Sequence, residues 1–143
     1  MSRVFFDDAA DALVGFLPPQ WRRFSSRASS RNLKVWYAGD GREHYEVQLL
    51  SSKRLEIGFH AEHRDRARNE EVLARLLEQE ARWRSALGDD VVAGKFVGAG
   101  PRVPWRRVSE VWDGVDVEGP ETAIEAAERL SGYICAFEPR RSA

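Results

Sequence analysis

The sequence is poor in the residues that most often form covalent cross-links and metal sites. It contains one cysteine, Cys135, which excludes an intramolecular disulfide and any site that needs two thiolates. Cys135 falls in an apolar helical pattern, which predicts a small core residue rather than a nucleophile. Only three histidines are present, and only three of the 22 basic residues are lysines. The excess of arginine is typical of a GC-rich bacterial genome.

Long apolar runs are also absent. No stretch approaches the ~18 apolar residues of a membrane span. Asp7 and Asp8 lie where a signal peptide needs its apolar core, so we expect a cytoplasmic protein with no membrane partner. The net charge of −1 favours neither nucleic acid nor a membrane surface. The length of 143 residues and the 43% hydrophobic content predict one globular domain over residues 1–143.

Apolar periodicity predicts an α+β fold. Helical spacing occurs in a first segment that ends at Pro18, in residues 65–87, and in a last segment that begins near Pro120. Alternation with period two predicts strands over residues 33–37, 45–49 and 55–59. Residues 89–97 and 103–112 are predicted to form two further strands. The order α-β-β-β-α-β-β-α favours a single antiparallel sheet of about five strands with helices packed on one face. Residues 20–32 show no period and are predicted to form a loop.

The register of the central hairpin follows from its apolar pattern. A three-residue loop over 51–53 puts six apolar side chains on one face, as the pairs Tyr45–Phe59, Val47–Ile57 and Leu49–Leu55. Other loop lengths would mix polar with apolar residues, because a slip of one residue moves every side chain to the other face. Extending the same argument to the preceding strand pairs Leu33 with Leu49 and Tyr37 with Tyr45.

The opposite face of this sheet carries the residues predicted to bind a ligand, which are Trp36, His44, Glu46, Gln48, Glu56 and His60. His44 is expected to face His60, with Glu46 and Glu62 nearby, while His63 lies past the strand end. Three interpretations stay open: a solvated sheet face, a shallow polar pocket for a small ligand, or a metal site. Two histidines with carboxylates could satisfy zinc. Without a His-x-x-x-His or Cys pair, however, the sequence assigns no metal ligand and no cofactor.

A second candidate surface lies in residues 12–39, which contain no acidic residue. Its predicted nucleic-acid-binding residues are Arg22, Arg23, Arg27 and Arg31. Trp21 and Phe24 are interleaved with them, and basic residues with aromatics are typical of phosphate contact and base stacking. The alternative is a solvated loop whose aromatic side chains anchor it to the core.

No complete set of catalytic residues occurs in the sequence, so whether the protein is an enzyme stays open. We therefore expect a non-catalytic binding module for a small ligand or protein partner, acting through the polar sheet face. The alternatives are a nucleic-acid-associated protein that uses residues 20–34, and a metal-dependent hydrolase that uses His44, His60 and Glu46. No partner is assigned, although several exposed tryptophans together would indicate a homodimer surface.

Overall fold

A computed structural model describes residues 2–98, 100 and 102–141 and has an α+β architecture. Within this described part of the chain the helices are α1 (Ser2–Phe16), α2 (Arg66–Leu77), α3 (Glu80–Leu87) and α4 (Pro120–Arg141). The strands are β1 (Ser25–Ala28), β2 (Asn32–Trp36), β3 (Glu43–Ser51), β4 (Arg54–Ala61), β5 (Val92–Lys95) and β6 (Arg106–Asp113). They form one antiparallel sheet in the order β1-β2-β3-β4-β6-β5.

The predicted fold class is confirmed, with six strands rather than five. The additional strand is β1, which lies at the edge of the sheet within the segment predicted to be a loop. Its four residues, SSRA, are polar or small and mostly exposed, so they show no alternation of apolar and polar residues. Pairing with β2 holds this segment extended, and such pairing leaves no trace in the local pattern.

The core lies between the helices and the apolar face of the sheet. The buried face of β3 and β4 packs against α4, where the ring centroid of Phe137 lies 6.5 Å from that of Tyr45 and 6.0 Å from that of Phe59. α1 packs against α4 and contacts β1 and β2. Because side chains alternate along a strand, this packing leaves His44, Glu46 and His60 on the other face.

The β3–β4 register is confirmed, with Tyr45 opposite Phe59 and Leu49 opposite Leu55. The predicted β2–β3 register is wrong by two residues, because Leu33 pairs with Val47 rather than with Leu49. A shift of two residues keeps every side chain on its original face, so the apolar pattern cannot distinguish these registers. The intervening turn contains Gly39 and Gly41 at φ of 74° and 87°, which helps the chain to close in the observed register.

The helix predicted over residues 65–87 is two helices, α2 and α3. Asp65 caps α2 by accepting a hydrogen bond from the Ala67 amide. The helices are separated around Gln79, and the Trp83 indole Nε1 donates to the Leu76 carbonyl at 2.8 Å. This bond satisfies a carbonyl at the end of α2 and fixes Trp83 in the core.

The expectation that Cys135 is a core residue is wrong. Cys135 is exposed, because it lies on the outer face of α4. The helix continues past Pro139 to Arg141. Arg141 binds Glu43 at 2.8 Å and thereby ties the end of α4 to the start of β3. Within the described residues, none of the helices combines the length and the apolar character needed to cross a membrane.

Candidate metal centre

The polar face of the β3–β4 hairpin brings four potential metal ligands together. His44 lies directly opposite His60, with ring centroids 5.4 Å apart. Glu46 follows His44 by two residues on the same face of β3 and lies opposite Gly58. Glu62 follows β4 and turns its carboxylate toward the same point. One ligand atom from each of the four residues lies within 4.8 Å of the other three.

The four donor atoms are His44 Nε2, His60 Nδ1, Glu46 Oε1 and Glu62 Oε2. Glu46 Oε1 lies 2.8 Å from His44 Nε2 and 2.9 Å from His60 Nδ1. Glu62 Oε2 lies 3.4 Å and 3.1 Å from the same two nitrogens. Zinc bonds of ~2.0–2.2 Å in a tetrahedral site place neighbouring ligand atoms roughly 3.3–3.6 Å apart. The contacts of Glu62 with the two histidines are close to this spacing, whereas those of Glu46 are shorter by roughly half an ångström, so an ion would require Glu46 to move away from the histidines.

Each imidazole is held in the orientation that a metal ligand needs. His44 Nδ1 lies 2.7 Å from the Gly41 carbonyl oxygen, which can only accept, so Nδ1 carries the hydrogen and Nε2 points into the cluster. His60 Nε2 lies 2.8 Å from Glu56 Oε2, and the same oxygen accepts from Ser109 Oγ at 2.6 Å. A carboxylate on the far nitrogen of a metal-binding histidine fixes its tautomer and increases its basicity.

The two carboxylates are oriented in the same manner. Asn32 Nδ2 donates to Glu46 Oε2 at 3.0 Å, which leaves Oε1 directed at the imidazoles. Lys34 Nζ lies 3.5 Å from Glu62 Oε1, the oxygen that does not face the histidines. Each of the four side chains thus has a partner outside the cluster, and one donor atom of each remains directed inward.

The cluster is almost completely removed from solvent. His44, Glu46 and His60 are at most 1% exposed, and the side chain of Glu62 is 14% exposed. The Phe96 ring covers His60 at 4.4 Å between centroids, and Trp105 packs on Phe96. The predicted ligand face is therefore an internal site rather than a solvated surface, and Glu62 lies on its most accessible side.

Burial and charge compete in setting the ionisation of these groups. Burial lowers the pKa of His60, but the surrounding carboxylates Glu46, Glu56 and Glu62 outweigh it and hold the pKa well above its usual range. Burial also lowers the pKa of His44, but hydrogen bonds to Glu46 and Glu62 outweigh this effect and raise the pKa above its usual value. Burial raises the pKa of Glu62, whereas its contacts with both histidines lower it to about 2. The pKa of Glu46 is lowered by the same two histidines. Without a metal, the raised pKa values of the histidines and the lowered pKa values of the carboxylates favour imidazolium–carboxylate pairs within the cluster.

Gly58 positions one side of the cluster. Its backbone φ of 155° is one that residues other than glycine rarely adopt. A Cβ at this position would lie 2.4 Å from the Val108 carbonyl oxygen and 2.5 Å from Ser109 Cα. The missing side chain thus permits the close approach of β6 that brings Ser109 to Glu56.

The six residues predicted to bind a ligand have different positions. His44, Glu46 and His60 belong to the cluster, and Glu56 supports it through His60. Gln48 is half-buried opposite Glu56 and Asn32, one step away along β3. Trp36 is not among the four potential metal ligands, and its ring packs against Gly41, at 3.1 Å from the place of a Cβ there.

Sequence reasoning omitted three residues from the candidate site. Glu62 was noted beside the histidines, but its position after the strand end gave no register that would place it among the ligands. Asn32 and Ser109 approach from β2 and β6, and neither lies near the histidines in the sequence. His63 was expected to lie outside the site. Its Nε2 lies 2.7 Å from a carboxylate oxygen of Glu43, outside the cluster.

The arginines of the predicted nucleic-acid-binding segment lie along the edge of the sheet. Arg22 and Arg31 donate to the backbone carbonyls of Leu17 and Leu49, whereas Arg23 and Arg27 are exposed. The aromatic side chains between them pack inward, since Trp21 and Phe24 both contact the ring of Tyr37. This packing is the anchoring role considered as the alternative. Nucleic-acid binding by the arginines stays a prediction.

Comparison with known proteins gave no match to a family model, to a curated protein or to a solved structure.

Proposed function

We propose that this protein binds one divalent transition-metal ion through His44, Glu46, His60 and Glu62. The observation that carries the proposal is the convergence of four donor atoms, each with its orientation set by a partner outside the cluster. Buried ion pairs alone need no such arrangement of tautomers. The set of two imidazoles and two carboxylates suits zinc and related first-row ions.

The burial of the ligands favours a structural or storage site over a hydrolytic one. A hydrolytic metal keeps one coordination position open to water and substrate. Here both histidines and Glu46 are enclosed by the sheet and by Phe96, and the four protein ligands would be enough to fill a tetrahedral coordination shell. The proposal retains the non-catalytic binding role and the cytoplasmic location expected from the sequence, with a metal ion as the ligand.

Metal titration of the purified protein tests this proposal. After removal of metal with a chelator, Zn²⁺ and Co²⁺ should each bind with a stoichiometry of one, and Co²⁺ should give the visible absorption of a tetrahedral site. His60→Gln and Glu46→Gln should each weaken binding by at least about 100-fold, because each removes a ligand from a buried site. The matched control is His63→Gln, which changes the third histidine without touching the cluster and should bind as the unaltered protein does.

Bound metal should also stabilise the fold, because the unfolded chain does not hold the four ligands together. At 100 times the dissociation constant, the expected gain in unfolding free energy is about 2.7 kcal/mol. A folded protein that binds neither ion, or one in which His63→Gln is as damaging as His60→Gln, would show that the cluster is only a buried ion network.

A further inference from the structure

A second concave site lies on the opposite face of the sheet from the metal cluster. It is a cavity of about 840 Å³ between the β2–β3 turn, α2 and the end of α4. This volume falls within the ~300–1,000 Å³ of typical small-molecule sites. Glu43 contributes to its wall, whereas the neighbouring His44 points into the cluster on the other face, so the two sites share strands but no ligand residue.

The floor of this cavity is apolar. It is formed by Val72, Leu76, Trp83 and Phe137, which belong to the hydrophobic core and show only their outer edges. Ala136 on α4 leaves the space above them open. Such a floor fits a short alkyl chain or an aromatic ring, which gains free energy by leaving water.

The rim of the cavity is charged, and most of its charges already have partners. Among the described residues it carries five arginines and four acidic residues. Asp40 binds Arg42, Glu71 binds Arg75, and Glu43 binds Arg141 together with His63.

The remaining rim charges are two cations and one acid. Arg68 reaches Glu43 only at 3.8 Å and is 58% exposed. In the described part of the chain Arg140 has no ion pair, and the fourth acid, Glu78, has none either. The cations therefore predominate where Arg68 and Arg140 flank the apolar floor.

We propose that this cavity binds a small amphipathic anion, with its apolar part on the floor around Trp83 and its carboxylate or phosphate between Arg68 and Arg140. Guanidinium groups bind both kinds of anion through paired hydrogen bonds. The site is independent of the metal centre and adds a second ligand to the proposed function.

Calorimetric titration with four probes that share one alkyl chain tests the chemistry. Sodium octanoate and octyl phosphate should bind saturably with a stoichiometry of one, and their relative affinities identify the preferred anion. Octan-1-ol and octylammonium should bind at least about tenfold more weakly, because they lack the charge that the arginines recognise. Octylammonium binding as tightly as octanoate would overturn the proposal by showing that Glu78 determines the specificity.

Variants of two exposed arginines and of the partly buried Ala136 locate the site. Arg68→Gln combined with Arg140→Gln should weaken octanoate binding by about tenfold. Arg82→Gln, on α3 outside the cavity, is the matched control and should leave binding unchanged. Ala136→Phe should fill the space above the floor and abolish binding of octanoate, with an unchanged circular dichroism spectrum as evidence of folding. Octanoate binding that survives both the double variant and Ala136→Phe would reject this cavity as the site.

Discussion

His60 shows how strongly the proposed metal ligand depends on one residue outside the cluster. Its Nε2 donates to Glu56, and Glu56 in turn accepts from Ser109, so Nδ1 is left to face Glu46 and Glu62. Glu56 touches none of the space a metal would occupy. It acts by holding the imidazole in position and by increasing the basicity of Nδ1.

Glu56→Gln should therefore weaken Zn²⁺ binding by about 10- to 100-fold while preserving the stoichiometry of one. The amide keeps the shape of the side chain but loses the charge. Competition against a chromophoric chelator measures the affinity, and Glu71→Gln on the exposed face of α2 is the control for loss of one carboxylate. An affinity equal to that of the unaltered protein would mean that Glu56 has no part in positioning His60.

Gly58 allows β6 to approach β4 closely, because it has no side chain at the point where the two strands meet. Gly58→Ala should destabilise the protein by several kcal/mol, because the added Cβ would overlap the Val108 carbonyl in a φ region unfavourable to alanine. Gly94→Ala is the matched control, since that glycine also lies in a strand and a Cβ there meets nothing within 4 Å. Chemical denaturation compares the two. Similar free energies of unfolding for both variants would contradict the argument from close approach of β4 and β6.

At the scale of elements, the β3–β4 hairpin could be predicted in detail. Its alternating apolar residues allow one register, and that register alone places His44 opposite His60. The two-histidine core of the candidate site thus follows from local pattern. The fold class follows as well, because helical and strand periodicities occupy separate segments of the chain.

The remaining parts of the site depend on contacts that are distant in sequence. Asn32 reaches Glu46 only because β2 pairs two residues away from the predicted register, and period two cannot detect that shift. Ser109 reaches Glu56 because β6, rather than a sequence neighbour, lies beside β4. The burial of the polar face could not be predicted either, because the Phe96 and Trp105 rings cover it from the connection between β5 and β6, where both residues had been assigned to predicted strands.

The separation of α2 from α3 also could not be predicted from the sequence pattern. The contact of Trp83 at this junction leads to a testable prediction. Trp83→Phe should cost about 1–3 kcal/mol in unfolding free energy, because it removes the indole hydrogen bond to the Leu76 carbonyl and shrinks a buried side chain. Trp105→Phe changes a tryptophan that is 37% exposed and should cost less than about 1 kcal/mol. Urea denaturation of both variants gives the comparison. Equal costs would mean that Trp83 does not hold the junction of the two helices.

For the molecule as a whole, the sheet separates two environments. The face toward α4 carries the apolar core and the amphipathic cavity beside it, and the other face carries a buried polar cluster. Burying several ionisable groups is unfavourable unless they are mutually paired. A metal ion that replaces the protons on His44 and His60 would retain that pairing while adding binding free energy to the fold.

The stability of the metal-free protein should consequently depend on pH in two opposite directions. The pKa of Glu62 is lowered to about 2 from 4.5, so its contribution is present above about pH 4.5 and is lost as the pH falls toward 2. The pKa values of His44 and His60 are raised from 6.5, so their contribution is present below about pH 6.5 and is lost as the pH rises through the raised values. We expect maximal stability of the metal-free protein between about pH 4.5 and 6.5.

Bound zinc should counteract the loss of stability that the metal-free protein shows as the pH rises above about 6.5. Binding requires deprotonated imidazoles, so affinity increases with pH over the range in which the metal-free protein loses stability. The difference in Tm between zinc-loaded and metal-free protein should therefore widen from pH 6 to pH 8. Thermal denaturation at each pH, with and without Zn²⁺, measures that difference, and Glu46→Gln should show almost none because it lacks a ligand. Parallel Tm curves for the two forms of the unaltered protein would mean that zinc stabilises it, if at all, without displacing the protons of this cluster.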